Sequence, residues 1–136
     1  MGTRGVATAG MSVTGSLTRA ARAVAARVEQ VLAKEGLTLD QWLALDALSG
    51  KGGLAMADLA DRTLATAPTL TRVVDKLVTT AQAYREVDAA DRRRVLVHLS
   101  ARGRATHRRV AAKVSEVEAG LEVPDELLAA LRSLGS

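Results

Sequence analysis

Three adjacent arginines follow an aspartate in the stretch VDAADRRRVLVHLS, residues 87–100. Asp91, Arg92, Arg93 and Arg94 lie between two short segments, AYREV and RVLVHL, that read as strands. Val95, Val97 and Leu99 alternate there as a half-buried strand does. Neighbouring guanidinium groups repel one another, and phosphate is the partner that their rigid fork fits. A second polar group lies upstream, in APTLTRVVDKLVT. Its Arg72 is suited to a bidentate contact with guanine, and its Thr69 and Thr71 to hydrogen bonds with bases or contact with a thymine methyl. Lys76, further along, suits phosphate. The chemistry these residues share is recognition of a polyanion.

The elements that must hold these side chains follow from periodicity. MADLADRTL, residues 56–64, reads as a short helix burying Met56, Leu59 and Ala60. A second helix over 67–80 places Leu70, Val73, Val74, Leu77 and Val78 on one face. At 100° per residue, the opposite side falls to Pro68, Arg72 and Thr79, flanked by Thr69 and Lys76 and by Thr71 and Asp75. Two helices joined by a tight turn, the second polar outside, form a helix-turn-helix whose second helix can enter a DNA major groove. Taken alone, that helix reads equally as a charged surface helix. The basic hairpin after it then serves as a wing, reaching a minor groove or its phosphates.

Further elements surround this centre. Leu17, Ala21, Val24, Val28, Val31 and Leu32 form one helical stripe, and Val110, Val114, Val117 and Leu121 form another. A short third stripe, Leu127, Leu128, Leu131 and Leu134, is opened by Pro124 as a first-turn residue. These stripes either close the core of one molecule or pair with a second copy. Residues 37–49 carry a helix start, with Thr38 and Gln41 as a capping box and Leu37 and Trp42 as its hydrophobic staple. Ser100 stands where it would cap the long helix after the hairpin.

Composition limits the alternatives. The 136 residues suit one domain, expected as a tail over 1–13, outer helices over 14–36 and 100–136, and a lobe over 37–99. With Trp42 and Tyr84 the only aromatic residues beyond histidine, the core must be Leu, Val and Ala, which favours helices. The same scarcity argues against stacking on single-stranded nucleic acid. The absence of cysteine removes disulfides, thiolate metal sites and thiol redox sensing. It is consistent with a cytoplasmic location, as is the lack of any apolar run near the roughly 20 residues of a membrane span. Residues 66–113 hold eleven basic groups against four acidic ones, so the rest of the chain is net acidic within an overall charge of +4. That segregation points to a directed polyanion contact or, more plainly, to a solvated charged face.

No phosphate loop, nucleophile elbow or histidine-paired nucleophile occurs, so no enzymatic activity and no cofactor are expected. His98 and His107 are the only histidines. They read as an outer strand residue and part of the long helix's stripe, and carboxylates would have to complete any metal site they joined. Trp42 reads either as core or as the wall of a ligand pocket.

From Leu54 to Gly103, LAMADLADRTLATAPTLTRVVDKL followed by YREVDAADRRRVLVHLSARG resembles the MarR family of bacterial winged helix-turn-helix regulators. The second piece carries the family's wing pattern: Asp, two spacers, Asp-Arg-Arg, an alternating strand, then Ser or Thr and Gly. The resemblance implies a mainly α fold, a winged helix-turn-helix with a two-stranded hairpin wing and N- and C-terminal dimerisation helices. It implies a homodimer on a pseudo-palindromic operator in double-stranded DNA, usually a repressor released by a small-molecule effector. Arg93 would then enter the minor groove, held by Asp91, with Arg92 and Arg94 on phosphates. Thr66 would cap the recognition helix that presents Pro68, Thr69, Thr71, Arg72 and Lys76.

The chain also departs from the family pattern. Leu64 and Ala81 replace glycines, Gln82 replaces an apolar residue, and Ala55 lacks a capping hydroxyl. A left-handed Ala81 costs on the order of 1 kcal/mol, so the recognition helix is expected to end differently. The alternative function is a winged-helix-derived ligand-binding or protein-interaction module without specific DNA binding.

Overall fold

The computed structural model describes residues 12–136. The expected tail falls outside the described residues except for Ser12 and Val13. Ser12 caps helix α1 (Val13–Lys34), accepting from the Gly15 N–H at 2.9 Å. Helix α2 (Leu39–Ala47) starts with the capping box that its sequence spells. The Gln41 N–H donates to Thr38 Oγ1 at 3.1 Å, and the Thr38 N–H donates to Gln41 Oε1 at 3.0 Å.

Strand β1 (Leu54–Ala55), helix α3 (Met56–Thr63) and helix α4 (Ala67–Thr79) follow. The hairpin strands are β2 (Ala83–Val87) and β3 (Val95–Leu99), and helices α5 (Ala101–Ala119) and α6 (Asp125–Leu134) complete the described chain. The fold is mainly helical, with a winged helix-turn-helix at its centre.

The sheet has three strands rather than the two of the expected hairpin. β1 pairs antiparallel with β3, Leu54 opposite Val97, and the order is β1-β3-β2. Gly53, just before β1, lies so close to β3 that a Cβ there would sit 2.6 Å from the His98 ring. Val97 and Leu99 are buried on the inner face, while Val95 is exposed at the wing end of the strand.

One core holds the lobe together. Leu32, Leu45, Leu59, Leu70, Val74, Leu77, Val97 and Val110 are fully buried and come from six different elements. Each contributes roughly 1.5–3 kcal/mol through burial alone. Of the outer helices, α1 and α6 take little part. α1 buries only Val28 and Leu32, and α6 buries nothing. Pro124 is the N-cap of α6 rather than a first-turn residue.

Helix α4 does not avoid the left-handed residue. Ala81 adopts φ 61°, the Gln82 N–H donates to Leu77 O at 2.8 Å and the Ala81 N–H to Val78 O at 3.0 Å. This is a Schellman motif built on alanine. Leu64 likewise stands at φ 57° at the end of α3. The reason is what α4 must meet next. Ser100 Oγ donates to Ala81 O at 2.6 Å, the Ser100 N–H donates to Gln82 O at 3.0 Å, and Ser100 Oγ accepts from the Gly103 N–H at 3.1 Å. One serine thus joins the end of α4, the start of β2 and the start of α5. A Cβ on Gly103 would lie 2.0 Å from Gln82 O, so only glycine lets these segments approach.

Candidate nucleic-acid interface

Helix α4 opens with Thr66, whose Oγ1 accepts from the Thr69 N–H at 3.4 Å and donates to Thr69 Oγ1 at 3.1 Å. Pro68 sits in the first turn, where no intrahelical partner is lost. The helix buries Leu70, Val73, Val74 and Leu77 against the core. That leaves Pro68, Thr71, Arg72, Asp75 and Lys76 exposed, while Thr69 is half-buried. Thr71 Oγ1 donates back to Ala67 O at 2.9 Å, so what it offers outward is its acceptor lone pairs and its methyl. Among the described residues Arg72 and Lys76 have no ion-pair partner, which leaves both cations available.

The wing turn is built by two aspartates. Asp88 Oδ1 accepts from the Ala90 N–H at 2.9 Å, and the Arg94 N–H donates to Asp91 O at 3.0 Å. One oxygen of Asp91 takes two bonds from Arg93, from its backbone N–H at 3.1 Å and from Nε at 3.2 Å. The Arg93 backbone bond first, and then its guanidinium, hold the Asp91 carboxyl below its ordinary range. The arginine is held by its base while 91% of its side chain stays exposed. Arg92 has no partner among the described residues.

Arg94 behaves differently from its neighbours. Its Nη2 lies 3.5 Å from Asp58 Oδ2 on α3, while Arg85 of β2 pairs with Asp75 of α4. The wing is therefore tied to both helices of the motif. Sequence reasoning missed these pairs because nothing in a separation of 36 or 10 residues marks them. The basic excess of the central segment also divides: Arg109 and Lys113 of α5 both bind Glu35, at 3.0 and 2.6 Å. The two cations hold the Glu35 carboxyl below its usual range, Lys113 contributing first.

The histidines lie in separate places. The His107 ring stacks on Trp42 with centroids 5.2 Å apart, and its Nε2 lies 2.9 Å from Asp46 Oδ1. His98 stacks on Tyr84 at 5.1 Å, its nearest carboxylate being Glu86 at 4.0 Å. Among the described residues no three potential metal ligands gather. No helix among them is long and apolar enough to cross a membrane.

Trp42 also lines a cavity of about 750 Å³ between α1, α2, α5 and α6. Val24, Val28, Leu43, Val114 and Leu131 contribute to its walls, and so does Leu64 from the turn between α3 and α4. Of these residues the sequence singled out only Trp42 for a pocket. The others carried a signal only as stripes on separate helices.

The MarR family sequence pattern matches residues 35–94. No curated protein matches the sequence. Among solved structures, the chain is similar to a probable transcriptional regulator from Pseudomonas aeruginosa, at 30% identity over 91% of this chain and 94% of that one, with a TM-score of 0.75. It is similar to NadR, solved in complex with 4-hydroxyphenylacetate, at 25% identity over 93% and 91% of the two chains, TM-score 0.81. A third is BpsR of Bordetella bronchiseptica, whose DNA binding is regulated by 6-hydroxynicotinic acid, at 25% identity over 91% and 90%, TM-score 0.77.

Proposed function

Since the chain belongs to the MarR family of winged helix-turn-helix transcriptional regulators, we propose that it is a homodimeric repressor that binds a pseudo-palindromic operator and is released by a small molecule. The observation that carries the DNA reading is the wing: Arg93 is held by Asp91 and exposed over 91% of its side chain. In this reading Arg93 enters a minor groove, where a narrow groove concentrates negative potential. Arg72 and Thr71 meet base edges in the adjacent major groove, and Lys76 and Arg92 meet phosphates.

The homodimer is supported by the faces that one copy leaves uncovered. Val13 of α1 and Leu127 and Leu128 of α6 are exposed and lie outside the cavity wall. The effector is supported by the cavity beside Trp42 and by the small molecules named with NadR and BpsR. The alternative, a winged scaffold that has lost specific DNA binding, rests on Gln82 and on Leu64 and Ala81. Leu64 and Ala81 both adopt the left-handed conformation that glycine would supply, which favours the DNA-binding reading.

Fluorescence anisotropy with duplexes from the chain's own upstream region tests the proposal. Affinity for the operator should drop steeply between about 50 and 200 mM salt, as released counterions dictate. Equal affinity for operator and scrambled duplex would overturn it.

A further inference from the structure

We propose, resting on the effector reading of the cavity, that its ligand is a lipophilic cation rather than an aromatic acid of the kind named for NadR and BpsR. Among the described residues the walls of the cavity are Leu, Val, Ala and Trp side chains with Gly135, and the one ionisable group is Glu118. No Lys, Arg or His among the described residues lines it. Glu118 has no ion-pair partner among the described residues, so its charge is uncompensated at the cavity.

A helix end adds to that charge. α5 ends at Ala119, one residue beyond Glu118, and α6 ends at Leu134, with both Leu134 and Gly135 in the cavity wall. A helix C-terminus presents carbonyl groups and a partial negative charge, which at α5 adds to Glu118, whereas Arg132 in the last turn of α6 offsets the end of that helix. The opposing contribution of helix N-termini is small. Leu39 brings the N-terminus of α2 to the wall, but Thr38 and Gln41 engage each other's N–H groups there and Asp40 adds a negative charge. Leu17 lies in the second turn of α1, beyond the reach of that helix's N-terminal dipole.

A carboxylate in this open cavity would meet the like charge of Glu118 and gain no cation from the described wall residues, which is unfavourable. An ammonium group gains Glu118 and the C-terminal end of α5 while its apolar body covers the leucines and valines. A volume of about 750 Å³ suits a drug-sized molecule.

Trp42 is the only tryptophan and lines the cavity, so its fluorescence reports occupancy. The probes are 4-phenylbutylamine and 4-phenylbutanoate, which share an apolar body and carry opposite charges at neutral pH. The amine should bind about tenfold more tightly than the acid, and it alone should release operator DNA. Glu118→Gln, at an exposed position, should weaken the amine about threefold to fivefold and leave the acid no weaker. If the acid binds as tightly as the amine, the charge inference falls and the effector cavity stands. If neither perturbs Trp42 and calorimetry shows no heat with either, the cavity is closed in solution, by a second copy or otherwise, and the effector reading falls with it.

Discussion

At the scale of single residues, the three wing arginines do three different things. Arg94 faces back to Asp58, Arg93 is held by Asp91 with its outer part free, and Arg92 is unpaired among the described residues. Arg93→Ala should therefore weaken operator binding by roughly 1–3 kcal/mol while the thermal midpoint stays unchanged, because an exposed side chain leaves no cavity. Anisotropy titration beside thermal unfolding checks both halves, and wild-type affinity would refute the wing assignment. Asp91 sets a pH window for the same contact. Its folded carboxyl lies below the ordinary value of 3.8, so it stabilises the wing above that value and loses its effect as pH falls through the lower folded one. The Arg93 amide should thus exchange with solvent at a protection that does not vary with this group between about pH 6 and 8, and lose that protection only in stronger acid. Loss of protection near neutrality would show that another group holds the turn.

At the scale of elements, the local signals were legible and the distant ones were not. Thr38 with Gln41, Thr66, and Ser100 all cap the helices their sequence contexts mark, because a cap is a contact over three residues. β1 was missed because two residues carry no period, and its partner Val97 lies some forty residues on. The cavity was missed, apart from Trp42, because its wall runs from Leu17 to Gly135. Ala81 is the informative error. Its local preference argued for another helix end, yet Ser100 and Gly103 hold the start of α5 against Ala81 and Gln82, and tertiary contact wins. The strain is still present in the folded state. Ala81→Gly should raise stability by about 1 kcal/mol, since the side chain is exposed and only its backbone conformation is at issue. Gly103→Ala should lower stability by about 3 kcal/mol or more, because the new Cβ meets backbone that cannot move away alone. Chemical denaturation of the two variants measures both signs, and a neutral Gly103→Ala would mean that α5 can start further from the turn.

At the scale of the whole molecule, the apolar surface and the DNA geometry make the same demand. A helix of 22 residues that buries two side chains, and a second helix that buries none, do not complete a fold within one chain. Exposed Leu127 and Leu128 lie on α6 outside the cavity wall, so they test association without touching the proposed ligand site. The double variant Leu127→Glu, Leu128→Glu should shift sedimentation at micromolar concentration from dimer to monomer. The lobe should stay folded, since its core of Leu45, Leu59, Leu70 and Val97 does not include α6. Two half-sites lie about 10 bp apart, centre to centre, when both recognition helices of a dimer engage one operator. In the dimer the second contact is intramolecular, so separating the copies should weaken binding to the full operator about a hundredfold or more. Binding to an isolated half-site should change little. A variant that sediments as a monomer yet binds the full operator as wild type would show that each copy reads DNA alone, and the pseudo-palindromic geometry would then be wrong.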